Sequence, residues 1–268
     1  MPDQPPIAVG LVGVAGAGIA WDALADLAGG RVRVTAIYDT VRLKAKRAVA
    51  AATRPPAVVG SVTKLAEVPG LRAAVVTDPG WSGLWAARNL CEHELPVLWL
   101  AEWPACWDFR GAANDLLIPG LRLRYLPATI RLRERIATDL GAVQSVHVES
   151  DGPTWEAIDW AAWVSASRPV RGTMRRADGI LVPLRSGVDA TIVRGERLTA
   201  VVECENGVAR MDRETLAVEG TVDAKAVGRP AVAGLLDLFC RRTVGGLVPV
   251  PSVDEVRAAI TAGEPTGE

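Results

Sequence analysis

The sequence is poor in several residues that would point to a chemistry. It has two histidines and four cysteines (Cys91, Cys106, Cys204 and Cys240), with no C-x-x-C among them. That spacing suggests neither a zinc site nor a disulfide framework, and buried reduced thiols are expected. Lysine is scarce too: of 30 basic residues only Lys44, Lys46, Lys64 and Lys225 are lysines. Acidic residues number 31 and the signs are interspersed, for a net charge of −1, so there is no basic footprint for nucleic acid or an anionic membrane. No apolar run reaches the roughly 18 residues of a membrane span. Residues 1–6 have no basic n-region or h-region. A cytoplasmic protein with no nucleic-acid, membrane or metal partner is expected. Phenylalanine and tyrosine occur twice each, against nine tryptophans, a side chain that suits both cores and ligand pockets.

What is present is an ordinary globular composition. Hydrophobic residues make up 49% of 268, enough for two domains or one large α/β unit. The first forty residues carry the strongest signal. An apolar strand, Ile7 to Val12, runs into Gly13-Val14-Ala15-Gly16-Ala17-Gly18; a helix over Ala20 to Ala28 and a strand from Val32 to Tyr38 follow, ending on Asp39. This is a mononucleotide-binding βαβ start. Backbone N–H groups of a glycine turn can hold a pyrophosphate, and a carboxylate about 20 residues on can accept from a ribose diol. The spelling is G-x-x-G-x-G, or G-x-G-x-x-W with Trp21 last if read from Gly16.

Val- and Leu-rich strands then alternate with helices, as in a parallel sheet covered on both faces. Helices are predicted at 43–52, 62–68, 82–91 and 109–117, and strands at 57–59, 71–77, 96–100 and 121–125. After Leu126-Pro127 the pattern changes to an amphipathic helix (129–140) and an alternating strand (143–150). Asn206-Gly207, flanked by strands 198–205 and 208–212, signals a tight hairpin, and a further strand (216–222) and helices 231–242 and 254–262 complete an antiparallel-looking tail. Thr266 to Glu268 are expected to fray. The organisation read here is a Rossmann-type doubly wound parallel sheet over residues 1–127 and an α+β domain with an antiparallel sheet over 128–268.

These residues resemble the Gfo/Idh/MocA family, named after glucose-fructose oxidoreductase and inositol dehydrogenase. The resemblance covers residues 7 to about 127, and extends more weakly to Ser150. It implies an NAD(P)-dependent oxidoreductase with a shortened C-terminal domain and a homodimer through that domain's sheet. By resemblance Gly13, Gly16 and Gly18 form the phosphate loop, Asp39 meets the adenosine ribose, and Thr77-Asp78-Pro79 is the turn along the nicotinamide ribose. Glu102 follows the next strand. Asp39 favours NAD over NADP, because a carboxylate repels a 2′-phosphate.

The family's catalytic residues are not matched. Its Glu-Lys-Pro is Glu102-Trp103-Pro104 here, and the nearest match to its histidine motif, Arg185-Ser186-Gly187-Val188-Asp189, ends on aspartate. Proton transfer needs a group of suitable pKa, which tryptophan lacks; Glu102, Asp189 and Tyr125 remain as candidates. A noncatalytic scaffold or regulatory partner and a non-redox ligand-binding protein are the alternatives. Trp21, Trp81 and Trp103 fall, by resemblance, on three loops around the cofactor cleft, with Trp107 a turn beyond, and they either form a pocket or fill one. Trp160 and Trp163 read as core or interface anchors. His93, His147 and Cys106 have no catalytic partner placed by sequence.

Overall fold

Continuous apolar runs in the N-terminal half form strands buried on both faces, and these set up the first of two units in the computed structural model. It describes residues 5–16, 18–103, 115–170, 172–176, 179–223 and 230–264. One unit comprises residues 1–120 and 235–253, the other 121–234 and 254–268.

In the first unit the chain runs β1 (Ile7–Val12), a small hairpin of β2 (Ala15–Gly16) and β3 (Ile19–Ala20), α1 (Ala23–Leu27), β4 (Val32–Tyr38), α2 (Arg42–Val49), β5 (Ala57–Val58), α3 (Val62–Ala66), β6 (Ala73–Val76), α4 (Gly83–Glu92), β7 (Val97–Trp99) and β8 (Leu117–Pro119). Six of these strands form one sheet in the order β5-β4-β1-β6-β7-β8, with parallel pairing throughout. This is the doubly wound Rossmann order, whose direction of winding reverses between β1 and β6. Leu11, Ile37, Val75, Leu98 and Ile118 make its interior.

The predicted strand at 121–125 is a correction. The strand is Leu117–Pro119, and Arg122–Tyr125 is a turn of 3-10 helix. Leu-Arg-Leu-Arg-Tyr alternates like a strand, but Leu121 and Arg124 are both buried, the i,i+3 spacing that a 3-10 turn brings to one side. Chain direction changes at Gly120, where a Cβ would lie 2.4 Å from the Trp99 carbonyl oxygen. The helix predicted at 109–117 falls outside the described residues up to 114, as do Pro104, Cys106, Trp107 and the tail from 265.

The second unit continues with α5 (Pro127–Arg135), which passes into a π-helical turn (Ile136–Leu140), then β9 (Val143–Ser150) and α6 (Thr154–Val164). Strands β10 (Met174–Arg176), β11 (Gly179–Pro183), β12 (Asp189–Arg194), β13 (Thr199–Cys204), β14 (Gly207–Asp212), β15 (Leu216–Val218) and β16 (Thr221–Val222) follow. The eight-stranded sheet has the order β10-β11-β12-β9-β13-β14-β15-β16 and is antiparallel except where β12 pairs parallel with β9. One face, with Val148, Ile192, Ala200 and Met211, shares a core with Leu132, Ile158 and Trp160 of α5 and α6.

The hairpin turn is one residue earlier than Asn206-Gly207. Cys204 pairs with Gly207, so Glu205 and Asn206 are the loop. Their N–H groups donate to Ala142 and Leu140 carbonyls at 3.0 and 2.9 Å, and this anchoring outweighs the local turn preference. The strand predicted at 216–222 is instead a hairpin, turning at Glu219 and Gly220 with φ of 50° and 78°. Helices α7 (Ala231–Thr243) and α8 (Val253–Gly263) complete the chain. From Leu235 on, α7 belongs to the first unit, where Phe239 is buried and Asp237 pairs with Arg31.

Candidate functional site

At the switch point of the first sheet the loop after β1 meets the turn after β6. Gly13 donates its N–H to the Tyr38 carbonyl at 2.8 Å and has φ +88°; a Cβ there would come within 2.6 Å of the Asp78 carbonyl oxygen. A Cβ on Gly16 would lie 2.3 Å from the Thr77 carbonyl oxygen. Both glycines are therefore required by contact with Thr77 and Asp78. Gly18 differs: its φ is +74° and the space beside it is open, so it serves conformation and leaves room at the loop tip. The loop does not feed directly into a helix as expected over Ala20 to Ala28. It folds into the β2–β3 hairpin, Trp21 N–H closes onto the Val14 carbonyl at 3.1 Å, and α1 starts only at Ala23.

Asp39 is buried at the end of β4 and ties this loop down. Its Oδ2 accepts from Val14 N–H at 3.1 Å and its Oδ1 from Val41 N–H at 2.8 Å. Thr77, also buried, donates its hydroxyl to the Gly13 carbonyl at 3.0 Å, and Asp78 Oδ1 accepts from Gly80 N–H at 3.0 Å. Gly80 in turn lies against Thr40, whose Oγ1 would be 2.6 Å from a Cβ there. Gly13, Gly16, Asp39, Thr77 and Asp78 thus converge at the carboxyl ends of β1, β4 and β6, where doubly wound sheets take ligands. Sequence reasoning missed Lys44, whose Nζ is 3.7 Å from both Asp39 Oδ2 and Asp78 Oδ2. Its rarity as a lysine beside the strand-end carboxylate was the available signal.

The second unit holds a different polar cluster, also missed. Arg124 donates from Nε to Asp159 Oδ2 at 2.8 Å and from Nη2 to Oδ1 at 2.5 Å, and its Nη1 is 3.4 Å from Glu255 Oε1. Arg124 and Asp159 are 5% and 4% exposed, so this is a two-pronged ion pair inside the unit. Burial pushes the Asp159 carboxyl up against the pull of Arg124. Burial also opposes the Arg124 charge, but Asp159 and Glu255 more than restore it. Trp163 lies under the Arg133 and Arg124 guanidiniums, at 5.1 and 6.0 Å from its ring centre.

The architecture has solved counterparts. The chain is similar to UDP-N-acetylglucosamine 3-dehydrogenase GnnA from Acidithiobacillus ferrooxidans, with a TM-score of 0.75 at 16% identity, over 97% of this chain and 96% of that one. The myo-inositol dehydrogenase from Lactobacillus casei, solved with NAD(H) and myo-inositol, has a TM-score of 0.69 at 15% identity over 96% and 91%. GenD2 from gentamicin A biosynthesis, solved with NAD, has 0.68 at 19% over 97% and 92%. The fold is that of the Gfo/Idh/MocA oxidoreductases. No protein-family profile and no curated protein matches the sequence.

On this Gfo/Idh/MocA fold the tryptophans separate into distinct groups. Trp103, where the family's lysine is expected, is 7% exposed and stacks on Trp99 with ring centres 5.5 Å apart; it fills the interior. Trp21 is half-buried, its indole N–H bonded to the Ala48 carbonyl at 3.2 Å. Trp81 is 82% exposed and Trp85 50%. Trp160 is core, with its N–H on Thr129 Oγ1 at 3.0 Å.

Of the three acid/base candidates, Glu102 belongs to the first unit and Asp189 and Tyr125 to the second. Glu102 is exposed after β7. Asp189 is exposed at the start of β12, in register with Ser145 and Glu203 on the face of the second sheet away from its core. Tyr125 is half-buried beside Arg124, and burial pushes its phenol up to about 12. His93 and His147 are exposed, the latter in register with Thr191 and Val201 on that same open face. Among the described residues no helix is long and apolar enough to cross a membrane, and no group of His, Cys, Asp and Glu is arranged to hold a metal.

Proposed function

We propose that the protein is an NAD-binding oxidoreductase of the Gfo/Idh/MocA type that works without the family's usual lysine and histidine. The observation that carries this reading is the convergence of Gly13, Gly16, Asp39, Thr77 and Asp78 at the switch point, with open space beside Gly18. These residues fit a dinucleotide: Gly13 to Gly18 would hold its pyrophosphate, Asp39 its adenosine ribose, and the Thr77–Asp78 turn with Glu102 its nicotinamide half. A bound nicotinamide would supply hydride transfer to or from a small-molecule substrate. The chain's own proton carrier would be Glu102, Asp189 or Tyr125. The protein acts in the cytoplasm, as a homodimer through the open face of the second sheet, where Val193, Val201 and Val208 are half-buried.

A second reading, a dinucleotide-binding partner without turnover, is favoured by one feature. The side chain at the family's lysine position is a buried, stacked Trp103 that cannot carry a proton. Titration of the purified chain with NADH, following tryptophan quenching and energy transfer to the reduced nicotinamide, tests the site. Saturation in the micromolar range, abolished in Gly16→Ala, is expected; absence of saturation, with calorimetry agreeing, refutes both readings. A screen of carbonyl compounds for NADH oxidation then separates the enzyme from the noncatalytic partner.

A further inference from the structure

We propose that the second unit carries a binding site for a small organic carboxylate, in a cavity of about 630 Å³ lined by Arg185 and Arg257. That volume is in the range of small-molecule sites. All of its lining residues belong to the second unit, so the proposal does not depend on the dinucleotide reading. One wall is the turn between β11 and β12. Leu184 N–H donates to the Val188 carbonyl and Gly187 N–H to the Leu184 carbonyl, both at 2.9 Å, and Gly187 has φ +85°. The chain at 167–170 is stitched to this turn: Arg185 N–H donates to the Arg168 carbonyl at 2.9 Å, Ser186 N–H to Ser167 Oγ at 3.0 Å, and Val170 N–H to the Pro183 carbonyl at 2.9 Å. Arg185 is thus carried on a fixed backbone, with Pro169 and Val170 beside it in the lining.

The other wall is one face of α8. Asp254, Arg257, Ala258 and Thr261 line the cavity, at the i, i+3, i+4, i+7 spacing that gathers side chains on one side of a helix. The buried Val256, Ala259 and Ala262 fall on another side and fix the helix in place. Two arginines and one aspartate leave this lining with one positive charge. Arg257 Nη1 is 3.5 Å from Asp254 Oδ1, a loose contact between exposed side chains that gives way to a better anion. Among the described residues Arg185 has no carboxylate partner. A planar guanidinium fork meets carboxylate oxygens in pairs, and a single net charge matches a carboxylate rather than a doubly charged phosphate. The Thr261 hydroxyl adds a donor, while Pro169, Val170 and Ala258 offer apolar surface to the rest of the ligand.

The test follows benzoate binding to the full chain by saturation-transfer NMR and calorimetry, with benzamide as the uncharged counterpart and thermal melting to verify that variants fold. Saturable binding of benzoate and none of benzamide is expected. Arg185→Gln and Arg257→Gln should each weaken benzoate by about tenfold, the scale of losing one charged contact. Arg88→Gln, at an exposed arginine of the first unit paired with Glu92, should leave it unchanged. Absence of saturation, benzamide binding as tightly as benzoate, or unchanged affinity in either cavity variant overturns the proposal. Inorganic phosphate displacing benzoate more strongly than acetate does would overturn the choice of a carboxylate.

Discussion

The two units satisfy their buried polar groups with different partners. In the first, the sheet interior is apolar and the informative polar side chains, Asp39, Thr77 and Asp78, sit at strand ends, where backbone N–H and C=O groups satisfy them. In the second, buried side chains of opposite charge satisfy each other: Arg124 and Asp159 face each other within the unit, with Glu255 at the edge. The strand ends gather these groups beside the glycine loop, whereas the internal ion pair fixes the 3-10 turn at 122–125 to α6 and α8. Function is therefore sought in the first arrangement, and sensitivity to mutation in the second.

The largest expected effect breaks the internal pair. Asp159→Ala takes the two-pronged partner from the buried Arg124 guanidinium, leaving it Glu255 at the edge, and should cost about 3–5 kcal/mol, whereas Arg124→Met with Asp159→Leu should recover most of the loss. Denaturant unfolding monitored by tryptophan emission reads both. If the single change costs no more than a surface substitution, the contrast between the units collapses.

Alkaline pH sharpens the same comparison. Tyr125 is raised from 10.0 to about 12, chiefly by burial. The native state therefore keeps a proton that the unfolded chain sheds, so the stabilisation is complete below about pH 10 and is lost as pH rises toward 12. The loss should reach about 2–3 kcal/mol, and Tyr125→Phe should flatten it. In the first unit Cys91 plays the equivalent part, raised from 9.0 to about 12 by burial and by Glu92, so its loss begins near pH 9. A stability profile indifferent to Tyr125→Phe between pH 10 and 12 would remove this role from the second unit.

These two arrangements also explain which features the sequence alone reveals. The strands Ile7–Val12 and Val32–Tyr38, the glycine loop and Asp39 were legible because continuous apolar runs and strand-end glycines are local signals. The cluster around Arg124 was not, because nothing local distinguishes an arginine that is buried from one that is solvated; alternation in Leu-Arg-Leu-Arg-Tyr even suggested a strand. The Glu205–Asn206 turn was displaced by carbonyls of residues 140 and 142, a tertiary effect invisible in Asn-Gly spelling. In the glycine loop the spelling does not give the shape. Its backbone pairs with itself as a hairpin before α1 begins, and the tight partner of Gly16 is protein, the Thr77 carbonyl.

That contact gives the next test within the first unit. Gly16→Ala should cost about 1–3 kcal/mol, the scale of overpacking, because the carbonyl at 2.3 Å belongs to the backbone. Gly18→Ala meets no atom and should cost only the left-handed backbone penalty, about 1 kcal/mol. The two also separate architecture from binding: Gly16→Ala should lower both melting temperature and nucleotide affinity, Gly18→Ala mainly affinity. Equal melting temperatures for both variants would mean that the loop is not seated on Thr77.

The smallest stability effect is expected at Trp81. With 82% of its surface exposed, Trp81→Ala removes little packing and should change stability by no more than about 0.5 kcal/mol. It should nevertheless remove a large part of the NADH-dependent energy transfer, because Trp81 stands in the turn after Asp78 that Gly80 presses onto Thr40, beside the loop that follows Asp39. Trp103, stacked on Trp99 in the interior, has the opposite profile: a packing role with no exposed ring to offer a ligand. If Trp81→Ala leaves the NADH signal intact, the nucleotide does not approach this turn.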